Sequence, residues 1–243
     1  MTDRPTVICL MQSSLDGGLH PSKFTASPDG GPKEWSSLYE ALHDELNGDA
    51  WLVGRTTMAE MAKGTAHPPA TPVTVERPHH FANRDAKPYA IAVDTRGELH
   101  FGGDNVGGDH AVVLLGNGVR DEHLAELAGD GVSYIVADAK HLDLADALVT
   151  LRRELGIERL MLEGGAQIVG SFLAAGLVDE LHVIVAPALD AREDMEGFVV
   201  HRSDGLAGKV RLSFAACKPL DHGAVLLSYE VLASSSSPHM AED

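Results

Sequence analysis

Leu162-Glu163-Gly164-Gly165-Ala166-Gln167 stands between a short apolar run, Arg159 to Leu162, and a run of helical spacing from Ile168 to Ala175 that stops at Gly176. This reads as a strand turning through two glycines into a helix. Such a turn leaves backbone N–H groups without helical partners, beside the positive end of the helix dipole. It suits the phosphates of a nucleotide cofactor, and glycine lets the backbone come close because no Cβ intervenes. The competing reading is a turn that merely reverses the chain. A second turn has the same character: Ala50-Trp51-Leu52-Val53 is strand-like, and Gly54-Arg55-Thr56-Thr57 leads it into a helix reaching about Met61. Its hydroxyls can cap the helix or bond phosphate, and its guanidinium suits a bidentate phosphate contact. An ordinary helix cap with a surface arginine is the alternative. Ligands of open parallel sheets lie outside the carboxyl ends of the strands, so two such turns on one edge suit the two ends of a dinucleotide. Neither reads G-x-G-x-x-G, which disfavours a standard Rossmann dehydrogenase.

The elements that must position these turns alternate along the chain. Thr6 to Met11 is a strand-like run ended by Ser13-Ser14-Leu15-Asp16-Gly17-Gly18, and a loop rich in Gly, Pro and Ser follows to about Pro32. Trp35, Leu38, Leu42 and Leu46 have helical spacing. Residues 63–88 carry Pro68, Pro69, Pro72, Pro78 and Pro88 with little periodicity, and read as a long surface loop. Strands are expected at Tyr89–Val93, Ala111–Leu115 and Val132–Val136, with helices from Asp121 to Ala128 and from Leu142 to Leu155. Val178–Val185 is strand-like before Pro187. Val210–Ala216 and Ala224–Val231 are expected to pair around Asp221-His222-Gly223. The alternation implies a single α/β domain over residues 5–232, a mainly parallel central sheet with helices on both faces and an antiparallel C-terminal edge. A disordered tail is expected over 233–243, from the serine run onward.

Composition narrows the partners. A net charge of −17 over 243 residues argues against nucleic acid or an anionic membrane as the main partner. An anionic cofactor must then be captured by helix ends and a few arginines. No apolar run approaches the roughly 20 residues of a membrane span, and Met1 to Pro5 lacks a signal-peptide layout, so a cytoplasmic protein is expected. Cys9 and Cys217 lie in strand-like runs and read as buried thiols of a reducing compartment. The adjacent His79 and His80 would point apart on regular structure. With no H-E-x-x-H or comparable spacing in the chain, no metal site is expected.

Several motifs occur in a telling order: Ser14-Leu15-Asp16-Gly17, Gly54-Arg55-Thr56-Thr57, His141-Leu142-Asp143-Leu144, Leu162-Glu163-Gly164-Gly165, and Ala175-Gly176-Leu177-Val178-Asp179-Glu180-Leu181. In that order they resemble the dihydrofolate reductase-like superfamily, and most of all its branch of pyrimidine reductases of riboflavin biosynthesis. The resemblance covers roughly residues 5–232, and its last two motifs in tandem are the specific part. It implies an NADPH-dependent reductase acting on a small heterocyclic or imine-bearing substrate. It places Gly164, Gly165, Ala166 and Gln167 at the pyrophosphate and nicotinamide side, and Gly54, Arg55, Thr56 and Thr57 near the phosphates. Arg55 would favour the 2′-phosphate, hence NADPH over NADH. Thr95 would approach the adenosine end and Trp35 would lie beside the cofactor. Glu163 and Asp16 would be the catalytic carboxylates, Glu163 contacting substrate and Asp16 lying on the loop over the nicotinamide. The residues alone also allow Glu163 to be a carboxylate that favours the helix dipole, and Asp16 to be a turn residue bonding its own backbone. A homodimer through the late strands is expected by the same resemblance.

The chain departs from the branch where the substrate's phosphate would bind. Residues 35–43 contain no arginine, and in residues 63–69 only Lys63 or His67 would substitute. Met61 occupies an acidic position, and the segment after Pro187 lacks a glycine-rich stretch. No zinc-site motif of a deaminase occurs in the sequence. Reduction of a pterin or dihydrofolate-type C=N bond, or nucleotide binding without catalysis, are the alternative functions.

Overall fold

A computed structural model describes residues 3–71, 73–139 and 142–233. The strands, in chain order, are β1 (Thr6–Ser14), β2 (Ala50–Gly54), β3 (His79–His80), β4 (Tyr89–Asp94), β5 (Asn105–Val106), β6 (Asp109–Leu115), β7 (Ser133–Val136), β8 (Arg159–Gly164), β9 (Glu180–Ala186), β10 (Val210–Pro219) and β11 (Val225–Ala233). The α-helices are α1 (Pro32–Leu46), α2 (Arg55–Ala62), α3 (Asp121–Gly129), α4 (Leu144–Leu155) and α5 (Ala166–Ala174). All strands join one sheet in the order β10-β11-β9-β1-β8-β2-β4-β6-β7-β3, with β5 beside β6. From β9 to β7 every neighbouring pair is parallel. The hairpin β10–β11 is antiparallel and joins β9 antiparallel, giving the expected edge.

Period-two alternation sorts the strand residues onto two faces. Val7, Cys9 and Met11 face a core with Leu148 and Leu151 of α4 and Val169 and Phe172 of α5. Ile8 and Leu10 face a second core with Met58 of α2 and Leu124 and Leu127 of α3. Strands buried on both faces must be apolar throughout, as β6 is from Ala111 to Leu115. Asp143 caps α4 by accepting from the amides of Ala145 and Asp146, and Gly156 closes it in the left-handed region, so α4 starts two residues later than the apolar pattern suggests.

One expectation is refined and one corrected. The described residues of 63–88 are mostly an exposed loop, as expected, but they include β3, which pairs antiparallel with β7 and covers that edge of the sheet. Tyr134 Oη donates to the Glu76 carbonyl at 2.9 Å, the Val136 amide to the Pro78 carbonyl at 2.8 Å, and Arg77 reaches Asp121 at 2.8 Å. Cys9 is buried as expected, but Cys217 is exposed, because β10 is the outermost strand. His141 and the tail expected to be disordered from 234 onward lie outside the described residues.

Candidate active site

Parallel strands end together, so β8, β2, β4 and β6 bring Gly164, Gly54, Asp94 and Leu115 to one edge. There the two glycine turns lie against each other: a Cβ on Gly165 would stand 3.8 Å from the Gly54 Cα. Gly165 is the N-cap of α5 and has φ +79° and ψ 110°, a conformation that L side chains rarely adopt. No side chain caps this helix start, leaving its first amides for other acceptors.

A hollow of ≈ 800 Å³ opens beside this turn, lined by Thr95, Arg96, Asn117, Ile168, Ser171 and Arg202 among others. Asp94 shapes its floor, since its Oδ2 accepts from the amides of Glu98 and Leu99 at 2.6 and 2.7 Å and so curls residues 95–99 around the strand end. A smaller hollow of ≈ 380 Å³ shares Ser171 and Arg202 with it and adds Gln167. Together they form a trough along α5 that has two arginines in its wall. The residues present therefore fit an elongated anionic cofactor: open helix amides, a glycine turn that approaches closely, and guanidinium groups farther along.

On the other side of the turn lies a hollow of ≈ 360 Å³ lined by Tyr39, His43, Trp51, Val53, Thr57 and Glu163 among others. Glu163 owes its direction to a β-bulge. Leu52 pairs with Leu162 and Val53 with Gly164, so Glu163 is skipped in the ladder with β2. Bulges near active sites re-aim a side chain in this way. Only 9% of the Glu163 side chain is exposed, and its Oε1 lies 2.6 Å from Nδ1 of His43. That carboxylate raises the His43 pKa above the ordinary histidine value, against the opposing effect of partial burial. Tyr39, one helical turn before His43, donates to the Leu10 and Glu163 carbonyls at 3.3 and 3.4 Å. Trp51 Nε1 donates to Asp109 at 2.7 Å, fixing the indole as a wall. The hollow thus joins an apolar floor to one acid–base pair.

The structure brings Gly54, Thr57, Glu163, Gly164 and Gly165 together. Thr95 and Gln167 line the neighbouring hollows, Thr56 is exposed, and Ala166 is buried with its carbonyl accepting from the Val200 amide at 3.0 Å. Arg55 turns to Glu98 at 2.7 Å. Two residues are engaged otherwise than the resemblance implies. Trp35, placed beside the cofactor by the resemblance, is fully enclosed by a core with Ile184, Ala186 and Leu226, and its Nε1 donates to the His222 carbonyl at 3.2 Å. It offers no surface to a ligand in this structure. The Asp16 carboxylate accepts from Ser14 Oγ and from the amides of Asp190 and Ala191. The Ser14 hydroxyl, then those amides, hold its pKa down at about 2. His67 faces Asp130 at 2.9 Å rather than the site. His43, Arg96 and Arg202 carry no local sequence signal, except that Tyr39 and His43 stand four residues apart on one helix.

Comparison with known proteins now fits this geometry. The RibD C-terminal domain model matches residues 5–190. The chain belongs to this family. A curated relative, the 2,5-diamino-6-ribosylamino-4(3H)-pyrimidinone 5′-phosphate reductase of Methanothermobacter thermautotrophicus, is 32% identical over 218 residues, covering 86% of this chain and 90% of that one. Among solved structures, a pyrimidine reductase-like protein of Corynebacterium diphtheriae superposes with a TM-score of 0.68 at 20% identity, over 94% of this chain and 92% of that one. The riboflavin biosynthesis reductase of Saccharomyces cerevisiae gives 0.59 at 18% identity, over 96% and 92%. The fold is dihydrofolate reductase-like, and the chain is an oxidoreductase of the riboflavin-pathway reductase family. No helix among the described residues is long and apolar enough to cross a membrane.

Proposed function

We propose that the protein is an NADPH-dependent reductase of a ribosylaminopyrimidine phosphate, the substrate class named for its archaeal relative. The observation that carries this reading is the Glu163–His43 pair, held by a bulge in an apolar hollow directly across the Gly164–Gly165 turn from the larger trough. NADPH, when bound, supplies the hydride. The Gly54 and Gly164–Gly165 turns would hold its phosphates, Thr95 and Gln167 would line its path, and Arg55, Arg96 and Arg202 would offset its charge.

The chain's own residues supply the rest. Reduction of a ring-opened ribosylamine adds hydride to an imine-like carbon and leaves nitrogen needing a proton. His43, whose pKa the Glu163 carboxylate raises, would be the proton source at that hollow. Glu163 holds the imidazolium and stabilises positive charge on the imine. Trp51 and Val53 exclude water from the reacting carbon. Asp16, held anionic and latched to 190–191, fixes the loop after β1 in this reading and donates no proton.

Family membership favours the ribosylaminopyrimidine over a pterin. The test is nicotinamide fluorescence on titration with NADPH and NADH, followed by NADPH oxidation with the ribosylaminopyrimidine phosphate or with dihydrofolate. Tight NADPH binding and turnover of the first substrate support the reading. Binding of neither nucleotide removes it, and turnover of dihydrofolate alone moves the assignment to the pterin class.

The protein is further proposed to be a cytoplasmic homodimer over residues 5–232. Leu212 and Phe214, on one face of the outer strand β10, are 49% and 65% exposed. An open strand edge beside exposed apolar side chains suits pairing with a second copy.

A further inference from the structure

Away from the active-site hollows, His100, His123 and Glu126 bring one ligand atom each to within 4.8 Å of one another. We propose that these three side chains bind one divalent transition-metal ion, zinc by the chemistry of the donors, at a site that stiffens the back wall of the cofactor trough.

His123 and Glu126 are three residues apart on α3 and therefore share a face. His100 comes from the segment that follows β4. His123 is 6% exposed, and its Nε2 is buried with no hydrogen-bond partner. A buried imidazole nitrogen without a partner requires an explanation, and an ion is one. The Glu126 side chain is 2% exposed, with Oε1 lying 2.6 Å from His100 Nδ1 and 3.4 Å from His67 Nδ1. One turn beyond Glu126, Asp130 Oδ1 lies 2.9 Å from His67 Nε2, and Oδ2 is buried without a partner. Two carboxylates thus stand in a largely enclosed cluster, which a cation would compensate.

Two imidazoles and one carboxylate match the donor set of zinc rather than calcium or magnesium, which prefer oxygen alone. Tetrahedral ligand atoms about 2.0–2.1 Å from zinc lie about 3.3 Å apart. The His100–Glu126 contact must then open by about 0.7 Å as the metal replaces the shared proton. The fourth position is left for water, since His67 is engaged at both ring nitrogens, Nδ1 with the Thr65 carbonyl at 2.7 Å and Nε2 with Asp130. The ion would tie α3 to residues 95–100, which carry Thr95 and Arg96. This proposal does not depend on which substrate is reduced.

The test uses tag-free full-length protein stripped with a chelator and titrated with Co²⁺, then with Zn²⁺ in competition. Expected are one ion per chain, an intense visible band of four- or five-coordinate Co²⁺, and a melting temperature that rises with Zn²⁺ and falls again with chelator. H123A and E126Q should each weaken binding more than about tenfold, as loss of even an outer-shell partner costs about 10–100-fold. H79A should bind as wild type. Absence of the band in wild type, or equal affinity in H123A, E126Q and wild type, overturns the site. Should either variant fail to fold, the wild-type cobalt spectrum and stoichiometry alone decide.

Discussion

Gly165→Ala isolates what the turn requires. At φ +79° and ψ 110° Gly165 lies outside even the left-handed helical region that asparagine tolerates. Holding alanine there costs about 1–3 kcal/mol. Its Cβ would meet Ile168 Cγ2 at 3.4 Å and the Gly54 Cα at 3.8 Å, both ordinary van der Waals contacts. The cost is therefore backbone strain and not collision. Gly164→Ala is the matched control: its Cβ would meet Val53 Cγ1 at 3.4 Å and Thr57 Cγ2 at 3.5 Å, but Gly164 is not among the positive-φ glycines. The chain's length corresponds to a Tm shift of about 2–4 °C per kcal/mol, so G165A should melt roughly 2–12 °C lower. G164A should stay within about 1 kcal/mol of wild type, since its Cβ meets only ordinary van der Waals contacts and the unfolded chain loses a little entropy. If α5 instead relaxes to accommodate alanine, its first amides rotate, and NADPH affinity falls at least tenfold, about 1.4 kcal/mol. Calorimetry and nicotinamide fluorescence on both variants read the two effects. Equal melting losses in G164A and G165A, with unchanged NADPH affinity in both, would refute the strain argument and the phosphate turn together.

Three further outcomes are expected. Glu163→Gln removes the main cause of the raised His43 pKa; the ring should titrate near its ordinary value by NMR, and kcat should fall by about 10²–10⁴. Because the folded His43 pKa is raised, the pair's stabilisation is complete below the unfolded value of about 6.5 and is lost as pH rises through the folded value, so wild type and E163Q melts should converge at alkaline pH. Asp16→Asn should flatten acid unfolding: a carboxylate lowered to about 2 stabilises above its unfolded value and loses that contribution as pH falls through about 2. Melts whose acid limb is unchanged in D16N would dismiss the latch. Phe214→Glu, on the outer strand, should give a monomer by light scattering at a concentration where wild type is a dimer.

How much of this was legible depended on how local each signal was. The strand–glycine–helix turns at Gly54 and Gly164 announce themselves because strand, turn and cap are contiguous, and all parallel strands must end on one edge. The apolar alternation of Val7 to Met11 likewise fixes two covered faces. What escaped depends on distant chain segments. His43 matters because α1 crosses β8, and nothing near residue 43 states that. The enclosure of Trp35 comes from β9 and β11, far along the chain. The proline-rich segment has no period because a two-residue strand and scattered contacts, such as the Tyr134 hydroxyl on the Glu76 carbonyl and the Ala82 amide on Ser133 Oγ, tie it to β7. The His123–Glu126 spacing of three is local, but His100 joins it from a separate segment brought near only by the fold.

One strand end serves both halves of the site, and its sequence explains how. Along β8, Leu160 and Leu162 face the core under α4 and α5, while Met161 faces the core under α2 and α3. Continued without interruption, the strand would have to pair Glu163 with Val53 and carry the ladder through the turn. The bulge instead skips Glu163 and pairs Val53 with Gly164. The carboxylate is thereby free of the ladder and reaches α1 on one side, while the chain turns at Gly165 to start α5 on the other. A proton-holding pair and an amide-bearing turn then stand on consecutive residues. Any substitution that restores regular pairing at Glu163 would move both at once, so the order Glu-Gly-Gly acts as one structural unit and not as three separate contacts.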